Sequence, residues 1–133
     1  MSLGFEVELK EAHEAAITRV EEVLKGEGFG VLTRIDVRQT LRDKLGENFR
    51  PYTILGACNP PLAHRALTAD ARVGLMLPCN VTVEALDSGH SLVRIVNPDA
   101  MMGVGELGGS SVMRAVATEA RAKLETVVEK LRS

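Results

Sequence analysis

Apolar and acidic residues alternate from Phe5 to Leu9, the period of a strand buried on one side only. From Glu11 the period changes: Ile17, Val20 and Leu24 recur at steps of three and four, with Ala12, Ala16 and Val23 widening the stripe. This predicts an amphipathic helix that Gly26 and Gly28 bring to an end. Val31, Thr33, Ile35 and Val37 fall on one face of a second strand. Thr40-Leu41-Arg42-Asp43 then reads as a capping box with Asp in its last position, opening a short helix that runs to Leu45 and stops at Gly46. Tyr52 to Cys58 is rich in strand formers and contains Gly56, whose missing side chain permits close approach of another backbone or a ligand. Pro61 suits the first turn of a helix that turns Leu62, Ala63, Ala66 and Leu67 inward. Pro60 is biased away from helical geometry by the proline after it.

Gly74 to Ala85 predicts the longest strand, with Leu77, Cys79, Val81 and Val83 on one face and Pro78, Asn80 and Thr82 on the other. Pro78 cannot donate to a ladder and so suggests an edge or a bulge. Asp87-Ser88-Gly89-His90 is turn chemistry, and Leu92 to Val96 returns as the second arm of an antiparallel hairpin. A loop rich in Gly and Met reaches Gly109, Ser110 or Ser111 caps the final helix, and Met113, Val116, Ala117, Ala120, Leu124, Val127 and Leu131 give that helix the clearest periodicity in the chain. The order is strand, helix, strand, short helix, strand, helix, strand, strand, helix. It predicts one α+β domain over residues 1–133, a single antiparallel sheet of about four to five strands with helices mainly on one face.

The chain's 133 residues suffice for one core without metal or disulfide staples. Hydrophobic residues make up 45% and charged residues 26%, the balance of a folded domain and not of a disordered one. Apolar runs are too short for a bilayer, and Met1 to Glu14 lacks the basic flank and apolar core of a signal peptide, so a cytoplasmic location is expected. A net charge of −2 with interleaved signs offers no basic stripe, and aromatic residues at 3% offer no stacking platform. Nucleic acid is therefore not an expected partner.

The candidate chemistry lies in two echoing phrases, Ala57-Cys58-Asn59-Pro60 and Pro78-Cys79-Asn80-Val81, which hold both cysteines. They lie one helix-length apart, so a crossover helix between neighbouring strands would bring them together. Cys58, Asn59, Cys79 and Asn80 then form a candidate ligand site, with the asparagines side by side. Several readings of the thiols stay open. They are small apolar core residues; or ligands of a soft metal ion completed by His64, Asp99, Met101, Met102 or a partner copy; or a reactive Cys58 ahead of a helix N-terminus, resolved by Cys79, in a thiol enzyme or redox sensor. A reducing compartment disfavours a structural disulfide. His64 reads as solvent-facing, and His13 and His90 as surface residues. Gly103 to Gly108 spells G-x-G-x-x-G but does not follow a strand directly and precedes no second parallel strand, so no dinucleotide is expected. Gly108, Gly109, Ser110 and Ser111 retain a weaker reading as an anion cradle.

The run Tyr52-Thr-Ile-Leu-Gly-Ala-Cys-Asn-Pro60, followed by Leu62-Ala63, Ala66-Leu67 and Leu77-Pro78-Cys79-Asn80-Val81, resembles the bacterial and archaeal family called domain of unknown function 302. So do Lys44-Leu45-Gly46, Phe49-Arg50-Pro51-Tyr52, Asn97-Pro98 and the Met101 region. The resemblance implies a TATA-binding-protein-like α+β fold, one antiparallel sheet backed by helices, and a homodimer; it implies no activity. A fold of that type is no argument for DNA binding. Taken together, the sequence leans away from catalysis and toward a cytoplasmic homodimer binding a small ligand or soft metal near the two Cys-Asn phrases. A thiol-dependent protein using Cys58 with Cys79, and a purely structural interaction module, are the alternatives.

Overall fold

The computed structural model describes residues 2–133. Strands β1 (Gly4–Leu9), β2 (Gly30–Asp36), β3 (Tyr52–Cys58), β4 (Cys79–Ala85) and β5 (Ser91–Val96) form one sheet in the order β1-β5-β4-β3-β2. Every neighbouring pair is antiparallel. The helices are α1 (His13–Gly26), α2 (Val37–Leu45), α3 (Pro60–Ala69), α4 (Pro98–Met102) and α5 (Ser111–Arg132), with 3-10 turns at Ala71–Met76 and Gly105–Gly109. The fold is α+β, as the element order implies.

Alternation along the strands delivers Val7, Leu9, Leu55, Ala57, Val81, Val83, Val93 and Ile95 to one face of the sheet. There they are buried with Ile17, Val20 and Leu24 of α1 and Leu124, Val127 and Leu131 of α5. Removing this apolar surface from water is the main stabilising term of the fold. A second buried cluster lies at one end, where Leu62 and Ala66 of α3 meet Cys79, Met101, Met102, Met113, Val116 and Ala120. The opposite face is polar at its centre. Arg94 bridges Glu6 at 2.8 Å and Glu84 at 2.6 Å, and Arg50 also pairs with Glu84.

Four boundaries differ from the sequence reading. The strand expected over Gly74 to Ala85 begins only at Cys79, and Ala71–Met76 is a 3-10 turn. β4 is an interior strand, so Pro78 marks neither an edge nor a bulge; it lies just outside the ladder, where its missing N–H is not needed. The bulge is instead between Val31 and Thr33 of β2. Val37 opens α2 instead of closing β2, because Asp36 accepts a hydrogen bond from the Gln39 N–H and caps the helix there; Thr40 lies within α2, its hydroxyl donating to the Asp36 carbonyl at 2.9 Å. Pro60 is the first residue of α3: its ring presets a helical φ, and the Asn59 cap outweighs the bias from Pro61. Gly46 does stop α2, at φ +67°.

Candidate functional site

β3 ends at Cys58 and β4 begins at Cys79, so antiparallel pairing sets the end of one strand beside the start of the other, with Ala57 opposite Cys79. The connection through α3 and the 3-10 turn therefore joins antiparallel neighbours and is not a crossover between parallel strands. Successive side chains point to opposite faces, so Cys79 shares the inner face with Ala57 while Cys58 turns the other way. Both still line one cavity of about 320 Å³, together with Phe29, Leu32, Leu62, Leu67, Leu77 and Met102. Thr33, Asn59 and the two thiols are its polar groups, and no charged residue lines it.

Cys79 is only 6% exposed. Burial, and secondarily the Cys58 thiol beside it, push its pKa up to about 11, so it stays a neutral thiol near neutral pH. Both cysteines are free, Cys58 being half-buried.

Asn59 joins β3 to α3 and is 8% exposed. Its Oδ1 accepts from the Leu62 N–H at 3.3 Å, and its carbonyl accepts from the Ala63 N–H at 2.9 Å. Pro60 and Pro61 have no N–H at all. The first turn of α3 thus leaves no free backbone donor for a thiolate or an anion, although helix N-termini commonly supply several. The amide nitrogen Nδ2 of Asn59 has no hydrogen-bond acceptor among the described residues. It faces Gly28, where φ is +86° and a Cβ would stand 3.0 Å from it.

Asn80 does not join this group. It is exposed on the polar face of the sheet, beside Tyr52, Thr82 and Arg94 in a separate shallow cleft, so the two asparagines are not side by side. The physical reason is the period of two: a residue next to Cys79 in a strand must face away from it.

The remaining candidates are dispersed. His64 is exposed and lies outside the cavity. Asp99 pairs with Arg121 at 2.8 Å. Met101 is buried in the neighbouring cluster, whereas Met102 reaches the cavity. Among the described residues, no three His, Cys, Asp or Glu side chains converge to hold a metal; a soft ion would draw on Cys58, Cys79 and the Met102 thioether. Ser110 caps α5 by accepting from the Met113 N–H at 3.2 Å, and the Gly108 carbonyl accepts from Arg114. His90 pairs with Asp87 at 2.9 Å in the hairpin turn. His13 departs from its surface reading: it is half-buried, its Nε2 lying 3.2 Å from both the Thr53 hydroxyl and the Val83 carbonyl.

Sequence reasoning passed over Thr33 and Leu32 as parts of the site. The signal was Gly56, since a Cβ there would meet Thr33 Oγ1 at 2.2 Å and Pro78 Cγ at 2.8 Å. The close approach that this glycine permits is made by two residues of the cavity rim.

The sequence profile described as domain of unknown function DUF302 matches residues 5–131. The chain belongs to the DUF302 family. A crystal structure of an uncharacterized conserved DUF302 protein from Bacillus stearothermophilus is similar to it at a TM-score of 0.86 and 29% identity, covering 99% of this chain and 100% of that one. None of the curated proteins gives a significant match. The DUF302 match takes in both Cys-Asn phrases, all five strands except Gly4, and all but the last residue of α5.

Proposed function

We propose that this DUF302 chain is a non-catalytic binding module that takes a small, largely apolar ligand into the cavity beside Cys58 and Cys79, working in the cytoplasm as a homodimer. The observation that carries the reading is the lining: a cavity of about 320 Å³ with apolar walls, a few polar groups and no charge, the composition of a small-molecule site. Catalysis by Cys58 finds little support. No histidine or carboxylate lines the cavity to act as base. A soft metal is the second reading, favoured by three sulfur-bearing residues on one cavity. Self-association is supported by β2, a free sheet edge on which Leu32 and Ile35 are 69% and 48% exposed, followed by α2 with Leu45 at 68%; a second copy presents the same edge.

The test is titration with the neutral fluorophore N-phenyl-1-naphthylamine. It should saturate near one site per chain, and Ala63→Phe, which fills the cavity, should weaken it at least about tenfold. Equal binding by both proteins sinks the reading. Native mass spectrometry of untreated protein reports the dimer, and a mass increment lost in Cys58→Ala and Cys79→Ala favours the metal.

A further inference from the structure

β2 has a neighbour on one side only, and two uncovered features lie toward its opposite ends. Near its start, Leu32 and Thr33 are exposed although both line the cavity beside Cys58 and Cys79. After its last residue comes α2, which buries no side chain, yet Val37, Leu41 and Leu45 recur along it at steps of four as an apolar stripe. We infer that two copies pair antiparallel through β2 about a two-fold axis at Ile35, so that the first turn of α2 from each copy covers the mouth of the other copy's cavity. This rests on the homodimer and binding readings above and names the surface that joins them.

Three observations carry it. The register is self-complementary: with Ile35 opposite itself, Arg34 stands opposite the partner's Asp36, and by symmetry the pair occurs twice. Arg34 and Asp36 share a face of the sheet, since they lie opposite Leu55 and Thr53 of β3, so the opposite charges meet side by side. Both have capacity left for such a pair among the described residues: Arg34 spends only Nη2 on Glu14, and Asp36 only Oδ1, on the Gln39 N–H. An axis at Arg34 would set like charges together, and a slip of one residue would put facing side chains on opposite faces. Second, the same register sets Val37 beside the partner's Thr33, next to the partner's Leu32. The bulge between Val31 and Thr33 ends the regular ladder there, where the partner's helix begins. Third, β2 and α2 supply 7 and 9 residues, and Leu67, exposed on the cavity rim, brings each side near the about 20 residues of a stable interface.

Ile35→Cys reads the axis directly, because its two thiols would meet within the Cα separation of about 4.4–6.8 Å that a disulfide spans. Oxidation with diamide should give a covalent dimer of that variant and none of the wild type. Ile35→Lys sets two ammonium groups against each other at the axis, at a position that is 48% exposed within the chain. It should give a folded monomer by circular dichroism and light scattering, and N-phenyl-1-naphthylamine should bind that monomer at least about threefold more weakly than the wild-type dimer. A dimer that survives in Ile35→Lys, or an Ile35→Cys chain that does not cross-link, overturns the pairing and leaves the homodimer and binding readings intact. Equal fluorophore binding by monomer and dimer overturns the covered cavity alone. A monomeric wild-type protein overturns the homodimer reading as well, and a wild-type dimer that takes up no fluorophore overturns the binding reading together with the covered cavity.

Discussion

Asn59 opens α3 as its cap, with Oδ1 accepting from the Leu62 N–H, and it also lines the cavity. Asn59→Ala should lower unfolding free energy in urea by about 1 kcal/mol through loss of the cap, while Asn59→Ser, which keeps a neutral capping oxygen, should cost less. Gly56→Ala is expected to cost about 1–3 kcal/mol by the same assay, because Thr33 Oγ1 and Pro78 Cγ occupy the space its methyl needs. At this scale the sequence was half legible. Gly56 announced a close approach, and the Cys-Asn echo led to the cavity through Cys58, Asn59 and Cys79. The echo misled at Asn80, because two identical words are read differently when one closes a strand and the other opens one: Asn59 has left the pleat to become a cap, whereas Asn80 is still in it, facing away from Cys79.

Elements with strong periodicity were the legible ones. Every apolar position expected on the last helix is buried in α5, because 22 residues leave a stripe too long to be overridden by context. Leu124 is wholly buried against the sheet, so Leu124→Ala should destabilise by about 2–5 kcal/mol in denaturant titration. Short elements were harder. The end of β2 was misplaced because Val37 continues the alternation while the Asp36 side chain, bonded to Gln39 N–H, has already turned the backbone into α2. The Gly74 to Ala85 run looked like one strand because a 3-10 turn and a strand are equally apolar there; Pro78 marked the true boundary. α2 contributes no buried residue, and β2 has neighbours on one side only. Amide exchange in α2 should therefore be the fastest of the helices, well ahead of α1 and α5.

Across the molecule, the two faces of the sheet respond to opposite ends of the pH scale. Glu84 is nearly buried, with its side chain 8% exposed, and the hydrogen bond from Arg94, then that from Arg50, hold its carboxyl below the usual carboxylate range. A depressed acid contributes stability above its unfolded pKa and loses it as pH falls. Urea midpoints should thus drop as pH falls below about 4.5, and Glu84→Gln should flatten that slope. Cys79 acts at the other end. Its raised pKa means that the unfolded chain releases the thiol proton first, so stability should decline as pH rises from 9 toward 11, and Cys79→Ala should remove that part of the decline. The strand order carries a consequence for the time course of folding. β1 sits at an edge with β5 as its sole partner, Gly4 lying opposite Val96. Its partner β5 lies after all the other strands in the chain, so during synthesis Phe5, Val7 and Leu9 wait unpaired until β5 has emerged. The exposed acidic residues spaced between them, Glu6 and Glu8, discourage that waiting strand from pairing with another chain's edge.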